Sequence, residues 1–128
     1  MLGGMAANRR QSQGAAAEAL AARHLEAHRL TVIRRNFRCR AGELDLICRD
    51  AGVLVIVEVR QRSGPAFGGA LASVTSGKQR RILRATQYFL LCERRWRHLR
   101  LRFDVVAVHG AAPAAQAVEW IRDAFRAG

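Results

Sequence analysis

Two short apolar segments, Gly42-Glu43-Leu44-Asp45-Leu46-Ile47 and Val57-Glu58-Val59-Arg60, carry acidic residues where a half-buried strand tolerates few. Carboxylates in such places cost desolvation energy unless a cation or a hydrogen-bond donor compensates them. The chain holds ten Asp and Glu against 22 Lys and Arg, and four of the ten (Glu43, Asp45, Asp50, Glu58) fall between positions 43 and 58. A divalent metal ion is the first candidate for the compensating charge. Between the two segments, Asp50-Ala51-Gly52 is a hairpin signal. If Ala51-Gly52 makes a two-residue turn, Asp50 pairs with Val53, Asp45 faces Glu58, and Glu43 faces Arg60. Directly opposed residues hold their Cβ atoms about 4.5–5.5 Å apart, close enough for two carboxylates to share one cation. A three-residue turn with Gly52 in a bulge is the alternative, and a slip of one residue turns Asp45 to the face opposite Glu58.

The ligand set suits Mg²⁺ or Mn²⁺, which take carboxylate, carbonyl and water oxygens and bridge readily to phosphate. The chemistry this implies is hydrolysis of a phosphodiester, in which the metal lowers the pKa of a water and offsets charge growing on the phosphate oxygens. Arg60, two residues beyond Glu58, projects to the same face and is always protonated. The plainer alternative is that Asp45 and Glu58 serve as ion-pair partners of Arg60 and neighbouring arginines, with no metal.

Net charge supports a polyanionic partner. The 128-residue chain has a formal charge of +12, distributed as +6 over residues 1–40, −1 over 41–62, +8 over 63–102 and −1 over 103–128. Basic flanks around an acidic centre are what a protein that grips phosphates around a metal site requires. Arginine accounts for 21 of the 22 basic residues; a coding bias explains the choice of arginine over lysine but not the excess of charge. At 50% apolar residues, the length is that of one domain. Three cysteines without zinc-like spacing point to reduced thiols, and no apolar run approaches signal-peptide or membrane-spanning length, so a cytoplasmic protein is expected.

Periodicity predicts a helix over residues 15–28, a β segment over 31–37, strands over 38–49 and 53–61, a glycine-rich loop over 64–77, and a helix from 77 to 94 capped by Ser76. A strand over 101–108 and a closing helix over 118–125 complete the chain, after a flexible tail at 1–13. The expected fold is α/β, a single domain over 14–128 with a mixed central β-sheet flanked by helices.

On these residues the chain resembles the YraN-like family, a bacterial group related to the restriction-endonuclease-like fold and to archaeal Holliday-junction resolvases. The landmarks are Gly14 with Glu18, Asn36 with Arg38, residues 42–47, Val57-Glu58-Val59-Arg60-Gln61-Arg62, Val74 before Lys78, and Arg102-Phe103-Asp104-Val105-Val106. The resemblance implies a restriction-endonuclease-like (PD-(D/E)xK superfamily) core and an Mg²⁺-dependent endonuclease acting on DNA, including branched DNA. It implies Asp45 and Glu58 as metal-binding acids and Glu18 as the extra helix glutamate of resolvase-like members. A homodimer is implied by analogy with resolvases acting on symmetric junctions. Two residues after Glu58 the superfamily normally has a lysine that positions the attacking water. This chain has Arg60, which does not release its proton near neutrality. Gln61 is a candidate for holding a water, and Lys78, the only lysine, for approaching the site from its helix.

Lys78, Arg81, Arg84, Arg38 and Arg62 are the candidate nucleic-acid contacts. His24 and His28 lack a third ligand and fit a solvated helix face. Trp96 offers a base-stacking ring but fits a core position better. Asp104 is expected to be structural, paired with an arginine, and Asn36 to be a turn residue. Two rivals stand beside the nuclease: a degenerate relative that binds nucleic acid without cutting it, and a basic adaptor for an acidic protein partner.

Overall fold

The computed structural model describes residues 2–62, 69–110 and 116–126, with side chains described from Gly14 onward. Helix α1 (Leu2–Ala27) leads into strands β1 (Thr31–Cys39), β2 (Gly42–Asp50) and β3 (Val53–Arg62). Helix α2 (Ser76–Cys92) and a 3₁₀ turn at Arg94–Trp96 then carry the chain to β4 (Arg100–His109) and β5 (Ala117–Phe125). The strands lie in sequence order in one five-stranded sheet. Only β3 and β4 are parallel, because only they are joined by a crossover long enough to hold a helix. The fold is therefore the expected α/β domain with a mixed sheet, compatible with a restriction-endonuclease-like core.

Each helix covers one face. Ala21, Ala22 and Leu25 of α1 pack on Leu46, Val55, Val57 and Val106. Ile82, Ala85 and Phe89 of α2 pack on Ile47, Leu54, Ile56 and Val105. Central strands covered on both sides must be apolar throughout, which is why β3 and β4 read as nearly continuous aliphatic runs. Full burial of each large aliphatic or aromatic side chain contributes about 1.5–3 kcal/mol.

Two departures from the sequence expectations have clear causes. The closing helix over 118–125 is instead β5, paired with β4 from His109↔Ala117 to Phe103↔Phe125. A bulge lets four residues of β5 span two of β4, and Asp123 at φ +51° sits within it. Alternation turns Val118 and Trp120 toward α1 and Ile121 toward α2, and the bulge leaves Ala124 and Phe125 on the α2 side as well, a spacing that a helical period mimics. The cap of α2 is Thr75, not Ser76: its Oγ1 accepts the Lys78 N–H at 3.2 Å from extended backbone. Of the loop expected over 64–77, residues 64–68 lie outside the described residues.

Asp104 has the structural role expected of it. Fully buried, it accepts Arg102 Nε at 2.9 Å, Trp120 Nε1 at 2.9 Å and the backbone N–H of Asp123 at 2.9 Å, which fastens the β5 bulge to β4. Trp96 packs against the core with Arg95 and Arg49 over its ring at 4.7 and 5.7 Å. His24 and His28 differ from a simple solvated face. Their rings meet Trp120 edge-on at 5.9 and 5.5 Å, and burial, then the neighbouring His28, pushes the His24 pKa down.

Candidate active site

The hairpin register decides where the acids stand. Ala51-Gly52 is a two-residue turn, with Ala51 left-handed at φ +51°, and pairing runs from Asp50↔Val53 to Leu46↔Val57. There the β2–β3 ladder stops. Past that point β2 stays with β1 as far as Cys39↔Gly42, while β3 continues beside β4 to Arg62↔His109. The two strands part, and Asp45 and Glu58 stand at the fork. Glu43 accordingly does not pair across β3 with Arg60; its Oε2 lies 3.6 Å from Arg38 Nε on β1.

A second irregularity opens the fork. Arg35↔Leu46 points toward α1, with Arg35 4.0 Å from Glu26 of that helix, whereas Phe37↔Leu44 packs under α2. Strict two-residue alternation would keep both pairs on one face. The reversal occurs at Asn36, which takes φ +53°, a conformation asparagine adopts more readily than most residues. The Asn36 side chain hydrogen-bonds Glu18 of α1. Asn36 is thus more than a turn residue, since it brings an acid from the α1 side to a site otherwise facing α2.

Carboxylate oxygens of Glu18, Glu43 and Asp45 lie within 4.8 Å of one another. Asp45 Oδ2 accepts the Val59 N–H at 2.8 Å, a backbone donor freed by the end of the ladder. Burial, followed by the charge of Glu58, pushes the Asp45 pKa up from 3.8 to about 8; a shared hydrogen bond with Glu58 and the charge of Glu18 add to the rise, and the Val59 N–H opposes it. Glu18 is also raised, first by burial and then by Glu43, against the lowering effects of Asn36, Arg38 and Arg35.

Glu58 is buried, and its Oε1 meets Lys78 Nζ at 2.6 Å. Lys78, singled out in the sequence as a phosphate contact, therefore reaches the acids themselves from the first turn of α2. Arg60 does so less directly. Its Nη1 lies 3.6 Å from Glu58 Oε1, while Nε and Nη2 donate to Ser73 Oγ and Ser73 O at 3.2 and 3.4 Å. Ser73 in turn donates from Oγ to Ala70 O at 2.6 Å, so Arg60 ties the segment before α2 to the floor of the site. Sequence inspection missed Ser73, and no local signal marks it.

Gln61 is not at the site. Alternation turns it away from Glu58 and Arg60, and its Nε2 donates to Gly110 O at 3.1 Å. Arg62 lies at the end of β3 with its guanidinium beside Gly69. Arg81 does reach the site: with Gly42, Glu43, Asp45, Glu58 and Lys78 it lines a cleft of about 240 Å³. A second cleft of about 330 Å³, lined by Glu18, Asn36, Arg38 and Glu43, shares Glu43 with the first. Arg84 lies exposed farther along α2.

The donor set is entirely oxygen and includes a carboxyl whose pKa is raised first by burial and then by its acidic neighbours. Ionising that carboxyl is costly in the bare site, and a hard divalent cation would relieve the cost. The carboxylates that converge closely enough to share a cation are Glu18, Glu43 and Asp45, whereas Glu58, expected among the metal-binding acids, lies beside Asp45 with its Oε1 on Lys78.

The sequence is 51% identical over 120 residues to a UPF0102 protein of Dechloromonas aromatica, covering 91% of this chain and 90% of that one. It is 48% identical over 116 residues to a UPF0102 protein of Stutzerimonas stutzeri, covering 90% and 95% of the two chains. A UPF0102 protein of Pseudomonas entomophila is 46% identical over 112 residues, or 88% and 91%. The family model described as uncharacterised protein family UPF0102 matches residues 17–108, which span Glu18, the β2–β3 fork, Lys78 and Asp104. The chain belongs to the UPF0102, or YraN-like, family.

Proposed function

We propose that this protein is an Mg²⁺- or Mn²⁺-dependent nuclease acting on DNA, with its centre at the β2–β3 fork. The observation that carries the reading is Lys78 Nζ at 2.6 Å from Glu58, beside Asp45, in a cleft also lined by Arg81. A cation held by Asp45 and Glu58, with Glu18 alongside, would activate water and offset charge on the phosphate. The protein's own groups do the rest. The Lys78 ammonium sits where it can orient an attacking water, the part the superfamily lysine plays two residues beyond the second acid. Unlike Arg60, lysine is a compact point charge whose proton can be moved. Arg60 instead fixes Glu58 and the segment at Ser73, making it a positioning residue. Arg81 and Arg38 flank the acids and supply positive charge for the flanking phosphates.

Cleavage of labelled four-way junction, duplex and single-stranded DNA by the purified protein with Mg²⁺ or Mn²⁺ tests this. Activity should vanish in Asp45→Asn and in Lys78→Met and survive at a reduced level in Arg60→Lys. Cleavage that persists at the native rate in Asp45→Asn would refute the assignment. A binding-only protein is the second reading, favoured by the anchoring of Arg60 on Ser73, which ties up the strand-borne cation beside Glu58. It expects no metal-dependent product from the native protein, with DNA affinity intact and falling steeply with salt.

A further inference from the structure

The outward face of α2 leads away from the acidic cleft as a line of charge that ends in an aromatic ring. Arg80, Arg81, Arg84, Tyr88 and Leu91 are exposed. Among the described residues, none of the three arginines has a carboxylate partner, whereas Lys78 and Arg60 beside the cleft are both held by Glu58. Arg81 lines the cleft of Asp45 and Glu58. Arg81 and Tyr88 are seven residues apart, two helical turns on one stripe, or about 10 Å along the axis.

Tyr88 is not a loose surface tyrosine. It is 52% exposed, yet its ring rests 6.2 Å from that of Phe37. Phe37 is itself held edge-on by Phe89 at 5.2 Å and covered by Arg34 at 5.3 Å. One side of Tyr88 is thus braced on the core while the rest of the ring meets solvent. A braced aromatic in line with unpaired arginines is what a single strand requires, with phosphates along the cations and an unstacked base on the ring. Bases within a duplex are already stacked and present no free face.

We infer that the α2 stripe Arg81, Arg84 and Tyr88 is a track for single-stranded nucleic acid, which delivers a strand with at least one unpaired base to the acidic cleft. This rests on the nuclease reading for its destination but not for its binding, so the two can fail separately. The test is fluorescence anisotropy in EDTA with labelled oligothymidine and with a duplex of equal length, using the full chain. Tyr88→Ala should weaken oligothymidine binding at least about fivefold and duplex binding less than about twofold. Tyr88→Phe should bind like the native protein. Arg84→Gln should weaken both ligands and flatten the dependence on salt. Equal effects of Tyr88→Ala on the two ligands, no effect on either, or a native protein that does not bind oligothymidine would each overturn the track. Binding that depends on Tyr88 in a protein that never cuts would count against the nuclease alone.

Discussion

At the scale of single residues, Asp45 and Lys78 carry the sharpest expectations. The Asp45 pKa rises from 3.8 to about 8 on folding, so the folded state binds the extra proton. Stability is then favoured at low pH and lost as pH climbs between those two values. In metal-free protein, the melting temperature should fall more steeply from about pH 5 to pH 8.5 than it does in Asp45→Asn, and a flat difference between the two would contradict the assignment. Added Mg²⁺ should raise the melting temperature of the native protein near pH 8 and leave Asp45→Asn unmoved. Lys78→Met leaves the more distant Arg60 as the cation beside buried Glu58, so urea unfolding should show a loss of about 1–3 kcal/mol without metal. The nearness of Asp45 to Glu58 was legible because a two-residue turn sets the register as far as Leu46↔Val57, although the ladder ends before the two acids pair. The part played by Asn36 was not, since a left-handed residue inside a strand has no periodic signature.

At the scale of elements, the start of α2 fixes where Lys78 stands. Thr75 caps the helix through the Lys78 N–H, so Thr75→Ala should cost about 1 kcal/mol and Ser76→Ala almost nothing, as thermal melts of the two variants would show. Two neighbouring hydroxyl residues look alike in sequence; the extended backbone of Thr75 separates them. The last element was harder to read. Val118, Ile121 and Phe125 are spaced as on a helix face, yet they lie on β5 because the open edge of β4 needs hydrogen-bond partners and the bulge at Asp123 takes up the extra residues between Ile121 and Phe125.

At the scale of the whole molecule, Asp104 ties the sheet edge to its centre. Removing it leaves Arg102, the Trp120 indole and the Asp123 N–H without their shared acceptor. Asp104→Ala should therefore cost about 3 kcal/mol or more in global unfolding, with a change in tryptophan emission at the same transition. Local unfolding of β5 without loss of the rest would show the network to be peripheral. Amino-acid order by itself determined the α/β class, the β2–β3 hairpin and the concentration of acids within it, because turn chemistry and alternation act over a few residues. The tertiary structure alone decided which of those acids meet and what opposes them. Glu18 and Lys78 reach the fork from opposite faces of the sheet, and Arg60 is drawn off to Ser73. Gln61 is turned away. These outcomes depend on where strands diverge and helices dock, and both are set by packing between segments far apart in the chain.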